Sequence, residues 1–227
     1  MLLTHMHPDY SNGLCDPAGE PIYRNAELVV HENEVSHWLD DRAMAVAPER
    51  KRRRYFKAAR RQLKPYRSRL RTITGGEVFP GVTAVPIPGH TPGHTAYRIS
   101  DGSESVLVWG DTVHVPEIQT RNPDVTLDFD SDPDASAIMR RRLLEMATVD
   151  WLLIAGMHVH FPRLRPCRAT RGRLPSRTGG VVAGPLVGCF SFLQIVSPSL
   201  TSRYERLPAH QPSALTSGIA QSRRAGA

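Results

Sequence analysis

The 227-residue sequence predicts a mixed α/β (α+β) domain over residues 1–162, followed by a tail of different character. Three observations carry this. Short apolar runs at 1–3, 26–31, 82–87, 105–109 and 151–155 alternate with stretches of helical periodicity at 32–40, 47–70 and 131–147. Four of those runs, 1–3, 82–87, 105–109 and 151–155, lead within two or three residues to a histidine or aspartate. The charge changes abruptly at Arg163: from it onward ten arginines stand against a single acid, Glu205, whereas residues 1–162 hold 19 basic and 21 acidic side chains. The formal net charge of +7 therefore belongs to the tail.

A chain of this length can bury one good core, or two small ones. Cys15, Cys167 and Cys189 form no CxxC pair, which argues against a disulfide scaffold or a thiolate zinc site and fits a reducing compartment. No basic segment followed by an apolar run and a small-residue cleavage site opens the sequence, so a cytoplasmic location is expected. The arginines of the tail come without an aromatic-interleaved binding motif, and no nucleic-acid partner is expected. The uncharged stretch 178–202 is long enough to reach across a bilayer, but glycines, a proline, a glutamine and several serines dilute it, and no membrane partner is expected.

In chain order, the apolar run Met1-Leu2-Leu3 leads into Thr4-His5-Met6-His7-Pro8-Asp9-Tyr10. In an extended segment His5, His7 and Asp9 would share one face, because side chains alternate. Imidazole nitrogens with a carboxylate oxygen suit zinc, and also iron or manganese. A polar turn that happens to hold two histidines is the alternative. Residues 26–31 read as a strand and 32–40 as a helix, with His31 and His37 as ordinary surface or packing histidines. In 47–70, Tyr55, Phe56, Ala59, Leu63 and Tyr66 recur at helical intervals opposite many basic residues. This is an amphipathic helix whose basic face is solvated, or one that steers an anionic substrate.

A turn-rich entry at 75–81 precedes the strand 82–87, which runs into Pro88-Gly89-His90-Thr91-Pro92-Gly93-His94-Thr95. Two histidines in such a turn signal a second site element, unless the turn is merely hydrogen-bonded. Residues 97–100 and 105–109 form a hairpin that ends at Gly110-Asp111-Thr112, where the aspartate is a ligand or a turn cap. Residues 113–134 read as loop. Ser131 or Asp132 caps a helix running to about Ala147, with Ile138, Leu143, Leu144 and Met146 as its apolar face. The strand 151–155 then leads to Gly156-Met157-His158-Val159-His160-Phe161-Pro162.

In order and approximate spacing, the HxHxD cluster, the His90 turn, Asp111 and His158 resemble the metallo-β-lactamase superfamily. The loops 113–116, 124–126 and 157–162 are similar to those of the branch holding methyl parathion hydrolase and lactonase-like hydrolases. The resemblance spans residues 1–162 and implies an αββα sandwich with a site for two divalent metals, expected to be zinc. By that resemblance His5, His7 and His90 would hold one metal, Asp9 and His158 the other, and Asp111 would bridge them. Asp9 and Asp111 would thereby be the catalytic carboxylates. A metal-bound hydroxide would cleave an ester, lactone, phosphotriester or related bond of a small-molecule substrate. His94 would order its turn from behind the ligands, His114 would face the substrate, and His160 would join His158 if the strand continued. A homodimer is compatible with the resemblance.

The chain departs from the pattern in three places. Tyr10 stands where the family has a second-metal histidine, so the second site is expected to be weak, with Tyr10 at most a poor ligand. Family members place strands before the first motif and closing strands after the last, so this sandwich is expected to lack both sets. Residues 163–227 are expected to be an out-of-frame or unrelated, largely disordered extension. A truncated, non-catalytic remnant binding at most one metal is thus the alternative to a working hydrolase. Translating the neighbouring reading frames of the coding DNA is expected to restore the closing strands.

Overall fold

The computed structural model describes residues 1–158 and divides them between two sheets. The tail, the apolar stretch 178–202 and His160 lie outside the described residues. In the smaller sheet, β1 (Leu28–His31) pairs in parallel with β2 (Leu70–Ile73). All four residues of β1 are buried, which is why it reads as a near-continuous apolar run. Its other edge is met by the N-terminal segment, where Leu3 N–H donates to Val29 O at 3.0 Å and Val29 N–H to Met1 O at 2.8 Å.

The first motif does not stay extended as far as Asp9. Pro8, with its fixed φ, starts a single helical turn, α1 (Pro8–Ser11), with His7 at its N-cap. His5 and His7 are buried, while Asp9 is carried onto the turn and exposed. After β1 come α2 (Glu32–Leu39), capped by the His31 ring accepting from Asn33 N–H, and α3 (Asp41–Val46), capped by Asp40.

The helix expected over 47–70 is broken into α4 (Glu49–Lys51), a π-helical turn (Arg52–Phe56), α5 (Lys57–Leu63) and a 3₁₀ turn (Lys64–Arg69). Pro65 cannot donate the next helical hydrogen bond, so the α-geometry stops there. The periodic residues behave as expected: Tyr55, Phe56, Ala59, Leu63 and Tyr66 are buried with Leu3, Met6, Leu28 and Trp38 in one core.

The larger sheet runs β3 (Gly76–Phe79), β4 (Val82–Pro86), β5 (Thr95–Asp101), β6 (Glu104–Val108) and β7 (Leu153–Ala155) in spatial order. Its first three pairings are antiparallel and the last is parallel. Between β6 and β7 lie α6 (Pro116–Gln119), inside the stretch expected to be loop, and α7 (Pro133–Val149), capped by Asp132. Leu143, Leu144 and Ala147 of α7 close a second core over Ile87, Leu107, Trp109 and Ile154.

Ile138 is not on that buried face; it is 47% exposed. The inward position goes to Arg140, fully buried, whose guanidinium donates to the carbonyls of Thr112 at 2.7 Å and Val125 at 2.9 Å. Those loop carbonyls have no strand to pair with, and the arginine satisfies them. The strand expected from Trp151 starts at Leu153, because Trp151 sits at φ +53° and is exposed. Among the described residues no helix is long and apolar enough to cross a membrane.

Two ties join the halves of the molecule. Thr95 N–H donates to Thr4 O at 2.9 Å, and the Tyr97 hydroxyl donates to Leu3 O at 2.9 Å. The second tie is the fully buried carboxylate of Glu34, which accepts from Met6 N–H at 2.9 Å, Trp38 Nε1–H at 2.7 Å and Gly93 N–H at 2.9 Å. Only glycine fits at 93, since a Cβ there would lie 2.5 Å from Glu34 N. Glu34 thus holds the first histidine motif and the His90–His94 turn to one helix. Glu34→Ala would strand three buried donors and is expected to cost about 3–5 kcal/mol, read by urea denaturation; a loss below about 1 kcal/mol would contradict the clamp.

Candidate metal centre

Five segments deliver the site: the extended Thr4–Met6, α1, the 88–95 turn, the 3₁₀ turn Gly110–Thr112 after β6, and the residues after β7. Each lies where a strand or strand-like segment gives way to a loop. Gly110 adopts φ +56°, and a Cβ on it would meet His94 Nε2 at 2.4 Å. That close approach lets Asp111 N–H donate to His94 Nε2 at 3.1 Å. His94 therefore fixes the turn that presents Asp111, with its Nε2 engaged by the backbone.

Potential ligand atoms of His5, His7, His90 and Asp111 all lie within 4.8 Å of one another, and all four residues are buried. Asp111, His114 and His158 form a second such group on the open side, so Asp111 belongs to both. Its Oδ2 lies 3.2 Å from His90 Nε2, 3.2 Å from His114 Nε2 and 3.6 Å from His5 Nε2. Its Oδ1 lies 3.3 Å from His158 Nε2 and accepts from the Tyr10 hydroxyl at 2.5 Å. Asp9 reaches the same edge, with Oδ2 3.4 Å from His158 Nε2. The imidazoles of His114 and His158 stack at 4.6 Å.

Protonation divides the histidines into two kinds. Burial pulls His5 and His94 well below the ordinary 6.5, and burial together with the neighbouring His90 takes His7 to about 3. These rings are neutral and offer lone pairs. Burial also opposes a charge on His90, but hydrogen bonds to Asp111 and Asp130 outweigh it and hold His90 up at about 9. Hydrogen bonds to Asp111 and Asp9 raise His158 to about 10. Burial would raise Asp111, yet His114, His158 and His90 together hold it far below the carboxylate range. Burial and the Asp111 charge push the Tyr10 phenol well above its usual value.

His5 Nε2 is buried and has no hydrogen-bond partner among the described residues. Its Nδ1 faces the Thr4 hydroxyl at 3.1 Å, and His90 Nδ1 faces Asp130 Oδ1 at 2.9 Å. With both Nδ1 atoms turned outward to a hydrogen-bond partner, both Nε2 atoms point into the cluster, the arrangement that orients histidine ligands. A neutral, orphaned nitrogen beside two further imidazoles and a shared carboxylate is a donor set that fits zinc. The open side is a cleft of about 220 Å³ lined by Asp9, Arg54, Tyr55, Asp111, His114 and Phe129, among others.

The family model of the metallo-beta-lactamase superfamily matches residues 1–158. The chain belongs to this superfamily. Its fold resembles the crystal structure of hydrolase AbOPH, a member of the beta-lactamase superfamily. The two are 29% identical with a TM-score of 0.69 over 75% of this chain and 60% of the other. It also resembles AidC, a dizinc quorum-quenching lactonase, at 22% identity and a TM-score of 0.69, covering 79% and 64%. A probable metal-dependent hydrolase from Staphylococcus aureus matches at 25% identity and a TM-score of 0.57, covering 68% and 52%. The chain thus spans between about half and two thirds of the length of these structures. No curated protein matches it.

In this superfamily member the structure brings His5, His7, Asp9, His90, Asp111 and His158 together, and adds His114. Tyr10 reaches the cluster as a hydrogen-bond donor to Asp111. His31 and His37 stay outside it, as a helix cap and as a partner of the Trp38 and Phe56 rings. Sequence reasoning missed Glu34, Asp130 and Arg140. All three are charged residues buried behind the site, and nothing in their local spacing marks them. The one available signal is the cluster of breakers at 130–133, which announces a turn but not that Asp130 faces His90.

The raised histidines carry a pH dependence. His90 and His158 shift from 6.5 to about 9 and about 10, so between those values the folded metal-free chain holds more protons than the unfolded one. Their contribution to stability is complete below about pH 6.5 and is lost as pH rises through about 9 to 10. Zinc must displace the His90 proton, so zinc stabilisation should grow over the same window. Thermal melts in chelator are expected to fall with rising pH while the zinc-induced increase grows; flat profiles for both would show that these histidines are not protonated.

Proposed function

We propose that this chain is a metal-dependent hydrolase that cleaves an ester, lactone, phosphotriester or related bond of a small-molecule substrate. The carrying observation is the pair of ligand groups that share Asp111, one of them containing the orphaned His5 Nε2. Similarity to hydrolase AbOPH and to the probable metal-dependent hydrolase from Staphylococcus aureus supports the reading.

Residues His5, His7 and His90 would hold one divalent ion and Asp9 with His158 a second, with Asp111 common to both. Such ions supply Lewis acidity and bring the pKa of a bound water toward neutrality. The protein's own part is to keep His5 and His7 neutral by burial, to aim His90 through Asp130, and to fix Asp111 through His94. His114, which lines the cleft wall, would face the substrate. Burial of the cluster on the His5 side strengthens each of these interactions by excluding water.

Tyr10 favours a second reading, in which the chain holds a single metal and turns over poorly. Its hydroxyl occupies Asp111 Oδ1, the oxygen that faces His158, and a tyrosine held above its usual pKa does not supply a phenolate. Zinc content per chain, measured with hydrolysis of an aryl ester and an aryl phosphotriester, separates the two. Two zinc ions with turnover that falls about 100-fold in Asp111→Asn support the enzyme; no bound zinc and no turnover overturn it. Under the one-metal reading, Tyr10→His is expected to raise zinc content from one toward two.

A further inference from the structure

The broken helix at 49–63 places two basic side chains at the candidate site rather than in open solvent. Arg54 lines the 220 Å³ cleft with Asp111 and His114. Lys51 lines a neighbouring bay of about 190 Å³ walled by Trp38, Tyr55, Phe56 and Phe129. Cleft and bay share His7, Tyr55 and Phe129 as lining, so they adjoin. The π-helical turn carries this arrangement: Tyr55 and Phe56 both turn inward, and Arg54 beside them stays exposed at the rim. Single π-turns of this kind recur at functional sites.

The charges around Arg54 are unequally matched. Glu49 pairs with Arg52, and Asp41 pairs with Arg60. Asp9 and Asp111 face His158, His90 and His114. No acid pairs with Arg54 among the described residues, and its described contact is the ring of its neighbour Tyr55, at 5.9 Å. An unmatched guanidinium presents a planar fork suited to a carboxylate or phosphoryl oxygen. The aromatic bay next to it suits an alkyl chain or a single ring.

We propose that Arg54 determines specificity for a substrate with an anionic group beside the reacting bond and an apolar arm seated in the bay under Trp38 and Phe56. This rests on the hydrolase reading and adds the substrate class, an amphiphilic anion. The basic ridge at 50–61 then steers such a substrate toward the cleft, and Arg54 is its innermost contact.

Binding rather than turnover tests it. The zinc-loaded full chain is titrated with 4-phenylbutyrate and with its neutral amide, 4-phenylbutanamide, and Kd is read from tryptophan fluorescence, since Trp38 lines the bay. Arg54→Gln is expected to weaken the acid about tenfold and to change the amide less than about twofold. Ala47→Phe, which fills the bay from the end of α3, is expected to weaken both. Arg54 is exposed, so a circular-dichroism spectrum and melting temperature equal to the parent's are expected for its variant. Equal effects of Arg54→Gln on acid and amide, no effect on either, or no binding of either probe by the folded chain would overturn the inference. Charge-selective binding in a chain without turnover would sustain it while the hydrolase reading fails.

Discussion

A buried carboxylate must be compensated where it lies, and the described part of this molecule is arranged around one. Asp111 is 2% exposed, yet Tyr10, His90, His114 and His158 each bring a polar atom within 3.3 Å of it. Removing such a charge from water costs several kcal/mol unless partners surround it. Those partners come from segments as far apart in sequence as residues 10 and 158, so the chain must be folded for Asp111 to be tolerated. The geometry that solves this electrostatic problem also assembles the candidate metal centre.

Behind Asp111 the support is layered. Gly110 allows His94 to approach the backbone, and His94 accepts from the Asp111 amide. Glu34 holds the His5–His7 segment and the His90–His94 turn through three N–H groups, so the two halves of the first ligand group share one anchor. Asp130 and Arg140 do the same for the far wall, where Arg140 gathers the carbonyls of the loop that carries His114. His7 Nδ1 and His90 Nε2 face each other at 2.9 Å, where burial lowers the pKa of the first ring and hydrogen bonds to Asp111 and Asp130 raise that of the second.

The segment 47–70 shows how far periodicity reaches. The spacing of Tyr55, Phe56, Ala59, Leu63 and Tyr66 identifies the buried face, and all five residues are buried. It does not reveal that the helix widens at 52–56, because a π-turn changes which neighbour a side chain meets without changing which side is apolar. The same stretch illustrates the limit for charge: Arg54 and Arg53 look alike as residues in a basic run, and only the cleft distinguishes them. Ile138 and Arg140 reverse the expected pattern on α7 for a similar reason, since the loop carbonyls beneath that helix required a donor.

The sequence by itself determined the mixed α/β class and most of its strands and helices, though not β2 or α6, and its resemblance to the superfamily made His5, His7, Asp9, His90, Asp111 and His158 one expected set. Those features are local or recur in a fixed order, and each sits at a strand end whose apolar run is visible in one dimension. Tertiary structure decided the rest: that Asp9 rides a helical turn, that Tyr10 hydrogen-bonds Asp111, and that His114 joins the cluster. It also decided that Glu34, Asp130 and Arg140 stand behind the ligands. Such roles depend on which buried donor or acceptor lacks a partner after packing, and that is a property of the folded chain and not of any segment of it.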